Sequence, residues 1–185
     1  MLRSRGAKAR REPGDPDGQA FVRQGKIEGN GARPERPTVA VPGIHEASLD
    51  EVAELFGRFD RSDRRLTLLG KLREYVAELR RYGLVTSVIL DGSFVMGCVA
   101  EPEDIDLILT LPEKWDVSAE LPPYQYNLVS KRRVKQEYGL EIVVVGEGSV
   151  DEEEWVAFFS GINLKWRERF DWPIDVRKGL ARIRL

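Results

Sequence analysis

The sequence predicts an α+β domain in which short buried strands alternate with amphipathic helices. Three observations lead there. Leu66, Leu69, Leu72, Val76 and Leu79 recur at steps of three and four, the period of one helix face. Beyond Gly83 that period gives way to short apolar runs of strand length at 87–90, 105–109 and 140–145. The chain has 185 residues, 42% of them apolar and 32% charged, enough for one domain with a sizeable core.

Residues 1–37 read as a flexible tail rich in Gly, Pro, Arg and Asp, with no apolar period. The domain proper is expected over 38–185. Residues 38–41 have extended character, and Pro42-Gly43 reads as a turn. Ser48-Leu49-Asp50-Glu51 is a capping-box pattern that starts a short helix to about Phe56. A longer helix follows from about Asp60 or Ser62 to Tyr82, with Gly83 at its C-terminal cap. Residues 151–160 form a helix with an acidic first turn, its apolar side carrying Trp155, Phe158 and Phe159. Residues 176–185 alternate in part and read as a final strand or an extended edge.

Several classes are disfavoured at this level. A net charge of -2 gives no global attraction to nucleic acid or membrane. With Cys98 as the one cysteine, neither an intramolecular disulfide nor a cysteine zinc site can form within the chain, which suits a reducing cytoplasm. The apolar runs are too short to span a bilayer. Arg3, Arg5, Lys8, Arg10 and Arg11 are followed by no apolar stretch, so a secretory signal is not expected.

The chemistry is expected at two neighbouring strand ends. Asp104 and Asp106 are two apart at the start of a predicted strand, so their side chains share a face. Ile105, Leu107 and Leu109 then enter the core, and Ile108 falls on the carboxylate face under a second layer. Like charges held together are costly unless a cation lies between them. Magnesium, with manganese as its substitute, suits a pair of carboxylates shared with a substrate phosphate. The plain alternative is a strand that starts at the solvent edge. Gly92-Ser93 directly follows a buried strand, and a glycine turn with exposed amides and a hydroxyl can grip phosphate oxygens. Phe94, Val95, Met96 and Val99 in the ten-residue spacer pack the excursion back on the core.

Asp91-Gly92-Ser93, this spacer and Asp104-Ile105-Asp106 resemble the signature of the DNA polymerase β-like nucleotidyltransferase superfamily, in particular its minimal members. The fuller spelling, with a Pro-Gly-x-His turn at 42–45 and Lys178-Gly179 near the end, is similar to a bacterial branch of largely uncharacterised function. The resemblance covers roughly 38–185. It implies the nucleotidyltransferase fold, a small mixed β-sheet flanked by helices. It also implies that Gly92, Ser93 and Lys178 bind nucleotide, and that Asp104 and Asp106 bind metal. Superfamily members with polymerase-type chemistry add a third carboxylate from a neighbouring strand, which helps bind the catalytic metal and can accept the proton of the attacking hydroxyl. Glu141, opening the third predicted strand, is the candidate, one methylene longer than the usual Asp, with Glu137 as the fallback.

Lys131, Arg132, Arg133 and Lys135 could hold a triphosphate or a nucleic-acid backbone, or simply form a solvated helix face. His45 is expected to cap a turn or a helix start. Cys98 is expected to pack or to be a loop thiol, and Trp155, Trp166 and Trp172 to fill a C-terminal core. The expected function is transfer of an NMP from an NTP to an RNA, protein or small-molecule hydroxyl. By analogy with minimal superfamily members, it would act in a toxin–antitoxin or defence module with a cognate partner protein. The alternative is a catalytically inactive module of the same fold that binds nucleotide or a partner protein. The sequence does not give the oligomeric state.

Overall fold

The computed structural model describes residues 41–57, 63–115 and 120–185. The expected tail lies outside them, as do 38–40 and the first residues of the expected long helix. In chain order the elements are β1 (Gly43–Glu46), α1 (Leu49–Phe56), α2 (Asp63–Tyr82), β2 (Ser87–Asp91), β3 (Asp106–Leu111), α3 (Pro123–Val129), α4 (Lys131–Tyr138), β4 (Glu141–Gly146), α5 (Val150–Ser160), α6 (Leu164–Phe170) and β5 (Gly179–Arg184). The fold is mixed α+β. Five strands form one sheet in the order β1-β5-β2-β3-β4. β2 runs antiparallel to both β3 and β5, while β1–β5 and β3–β4 are parallel pairs.

Local chemistry starts and stops the helices as the sequence suggests. The Ser48 hydroxyl accepts from the Glu51 amide at 3.2 Å, and Glu51 accepts from the Ser48 amide at 2.7 Å. Gly83, at φ 62°, follows α2 and donates to the Leu79 carbonyl. Ser149 caps α5 through the Glu152 amide.

The sheet has two unequal faces. Val88, Leu90, Leu107, Leu109, Ile142, Ala181 and Ile183 bury one face beneath α1, α2, α3 and α4. Ile89, Ile108, Val145 and Leu180 face the other way and meet Val156 and Phe159 of α5. A third cluster joins Met96, Val99 and Ile162, with Trp166 and Trp172 packed against it.

Four expectations are corrected. Gly43 belongs to a strand rather than a turn: β1 pairs with β5 in parallel, and the positive φ of Gly43 lies at its first residue. The last strand is interior, between β1 and β2. Its arginines are neutralised there: Arg182 lies 2.5 Å from Glu152 of α5, and Arg184 lies 2.5 Å from Glu147. Leu66 is exposed, and its expected place on the buried face is taken by Arg65 and Leu68. Phe158 is 69% exposed and Trp155 36%, because α5 turns only Val156 and Phe159 to the sheet.

Candidate metal and phosphate site

Strand alternation and register assemble the acidic groups. Asp91, the last residue of β2, pairs with Asp106, the first of β3, which pairs with Glu141, the first of β4. Residues directly across neighbouring strands point to the same face. All three therefore share the face of Ile89, Ile108 and Val143, just beyond the apolar layer under α5. Asp104 precedes β3 rather than opening it, yet its charge still reaches Asp106.

Asp106 is at the centre. Burial first, then the anions Asp104, Asp91 and Glu141, push its carboxyl up to about 6, with Lys178 opposing. Gly92 leaves room for it: a Cβ at Gly92 would fall 2.2 Å from Asp106 Oδ2, and the backbone there has φ 80°. Only glycine meets both conditions without displacing the carboxylate. Ser93 then opens a single 3-10 turn over Ser93–Val95 that buries Phe94 and Val95. The Ser93 hydroxyl is half-buried, with no hydrogen-bond partner among the described residues.

Two lysines answer the carboxylates. Lys178 precedes β5 and is buried, its Nζ 2.9 Å from Asp91 Oδ1, with the two side chains 6% and 2% exposed. That contact is an ion pair by distance, but Oδ1 has no hydrogen bond of good geometry. Burial raises the Asp91 carboxyl, against the pull of Lys178. Lys178 Nζ also reaches the carbonyl of Gly161 at 3.4 Å, where the C-terminal end of α5 favours a cation. The structure thus places Lys178 under the site as the counter-ion of Asp91. Lys135, on the last turn of α4, places Nζ 2.7 Å from Asp104 Oδ2 and 2.7 Å from Glu141 Oε1.

The excursion between the glycine turn and Asp104 is fastened to α2 by two arginines that sequence reasoning passed over. Arg65 is fully buried, and its guanidinium donates to the carbonyls of Phe94, Met96, Val99 and Phe56. Burial lowers its pKa to about 10. Arg64 donates to the carbonyls of Pro102 and Glu103.

Other candidates lie elsewhere. Glu137 and Glu78 hold Arg133, away from the carboxylate row. Lys131 and Arg132 are exposed at the start of α4. His45 sits in β1, with β5 between it and β2, and its Nε2 lies 2.7 Å from the Val41 carbonyl. Cys98 is half-buried near Met96, and burial pushes its thiol up to about 11, unsuited to a nucleophile. In the sequence Asp91 stands only as the first residue of the Asp91-Gly92-Ser93 signature, with no role of its own. The signal for its role was its even spacing from Ile89, which puts it on the same face.

Among the described residues, no group of three His, Cys, Asp or Glu side chains stands ready to hold a metal ion. The donor set still fits magnesium, which takes oxygen ligands and often uses only one or two carboxylates beside substrate phosphates. Four carboxylates face two ammonium groups, an excess of two negative charges when all are ionised.

Fold and site together define a mixed α+β domain with an acidic sheet end beside a glycine turn. The chain belongs to the family described as "Family of unknown function (DUF6932)", whose model matches residues 32–184. No curated protein and no solved structure matches the chain.

Proposed function

We propose that this chain is a metal-dependent nucleotidyltransferase that moves an NMP from an NTP to a hydroxyl of an RNA, a protein or a small molecule. The observation that carries the reading is the carboxylate row at the sheet end, in register across β2, β3 and β4 beside the Gly92-Ser93 turn. It also suits the nucleotidyltransferase fold that the family resemblance implies.

In this reading Asp104 and Asp106 would hold magnesium (or manganese) together with the triphosphate. The ion would supply charge neutralisation at the phosphates and polarise the α-phosphate. The Gly92-Ser93 amides and the Ser93 hydroxyl grip phosphate oxygens. Glu141 accepts the proton of the attacking hydroxyl, the new O–P bond forms in line, and the bond from the α-phosphorus to pyrophosphate breaks. Lys178 serves from below, balancing Asp91 and thereby the row. Among the described residues no helix is long and apolar enough to cross a membrane. The cytoplasm, and a defence or toxin–antitoxin setting with a partner protein, belong to the same proposal.

One observation favours the second reading, a nucleotide-binding module without turnover: Glu141 is already engaged by Lys135 at 2.7 Å. Incorporation of α-labelled NTP into RNA and protein, with magnesium, separates the two. The enzyme reading expects label with the wild type and at least a hundredfold less with Asp104→Ala. Equal signals from the two proteins across all four NTPs would sink it.

A further inference from the structure

Lys135 is half-exposed, yet its ammonium sits between two carboxylates that come from different places in the chain. Asp104 belongs to the loop before β3, and Glu141 opens β4. Both contacts are 2.7 Å, and the side chains of Lys135, Asp104 and Glu141 are 48%, 24% and 56% exposed. An isolated surface ion pair contributes little and rarely fixes a long side chain. Here one cation bridges two anions that also flank the half-buried Asp106, so it relieves repulsion inside the row.

A divalent ion bridging Asp104 and Glu141 would need the same oxygen lone pairs, at about 2.1 Å for magnesium. Lysine and metal cannot both hold that position. The charge balance points the same way. With Lys178 and Lys135 in place, the four carboxylates lack two positive charges, the complement of one divalent ion.

We propose that Lys135 is a built-in cation that takes the place of a second metal, so that the site binds one divalent ion, at Asp104 and Asp106, rather than two. The inference rests on the metal-site reading above and decides its stoichiometry. Lys135 acts through Asp104 and Glu141 and is a positioning residue.

The test is Mn²⁺ binding to the full chain, read by electron paramagnetic resonance and calorimetry with a non-hydrolysable NTP analogue present. Wild type, Lys135→Met and Lys135→Arg are compared, the arginine keeping the positive charge. The expected result is one equivalent of Mn²⁺ in wild type and Lys135→Arg. Lys135→Met should take two equivalents, or bind the first at least tenfold more tightly. One equivalent of unchanged affinity in all three proteins would overturn the inference and leave the metal site standing. Two equivalents in wild type would do the same. No Mn²⁺ bound by any of the three would overturn both.

Discussion

Gly92 carries two demands at one position. A Cβ there would meet Asp106 Oδ2 at 2.2 Å, and the backbone has φ 80°. With ψ at -164° this conformation is essentially reserved for glycine, so Gly92→Ala is expected to cost about 1–3 kcal/mol for the backbone alone, plus the displacement of Asp106. A lower urea midpoint together with lost Mn²⁺ binding is the expected outcome. The Lys178–Asp91 pair is a second local test. Removing one partner of a buried pair leaves an unbalanced charge and costs about 3–5 kcal/mol. Lys178→Met should therefore be strongly destabilised in urea, and adding Asp91→Leu should restore much of the loss. If the double variant is as unstable as the single one, the ion pair is not what Lys178 supplies.

Asp106 gives the pH dependence. Its folded carboxyl lies near 6, above the ordinary 3.8, so the folded chain holds a proton more tightly than the unfolded chain. Stability from this group is present below about pH 4 and is lost as pH rises through about 6. Urea midpoints of wild type and Asp106→Asn across pH 4–7 should diverge in that window, the wild type losing ground as pH rises. Parallel curves would contradict the account.

Among the elements, α2 does more than cover the sheet. Through Arg65 it holds the Phe94–Val99 excursion by the backbone carbonyls of Phe94, Met96 and Val99. Unsatisfied buried acceptors cost about 1–3 kcal/mol each, so Arg65→Met should destabilise by about 3 kcal/mol or more. Hydrogen exchange should quicken over 94–99, whereas a merely packed arginine would leave those amides protected.

Elements whose pattern is local were legible: α1 by its capping box, α2 by its period and terminal glycine, and β2, β3 and β4 by their apolar runs. What depends on distant partners was not. β1 is four residues long, starting at Gly43 directly after Pro42, and only its pairing with β5 makes it a strand. β5 has the arginines of an edge strand, and acids from α5 and the loop before it make the interior position tolerable. Within the site, Asp104, Asp106, Glu141 and the Gly92-Ser93 turn are brought to one region, as the family resemblance implies. The bridging role of Lys135 and the burial of Lys178 depend on how α4 and the chain before β5 pack, which no spacing encodes.

At the scale of the molecule, the two sheet faces divide the labour. The helices over the larger face supply the main core, and the smaller face carries only a thin apolar layer beneath α5. The strand ends beyond that layer are left to carboxylates. β2 ends there, and β3 and β4 begin there, because β2 runs antiparallel to β3 and β3 parallel to β4. The topology thus gathers negative charge where there is little apolar cover.

The central claim is that this sheet end binds a divalent ion with a nucleotide. Thermal unfolding with millimolar magnesium and NTP tests it directly, in wild type and in Asp104→Ala. A ligand at a hundred times its Kd stabilises by about 2.7 kcal/mol. The expected result is a rise of several degrees in the wild-type Tm that needs both magnesium and nucleotide and is absent in Asp104→Ala. An unchanged wild-type Tm, or an equal rise in the variant, would contradict it.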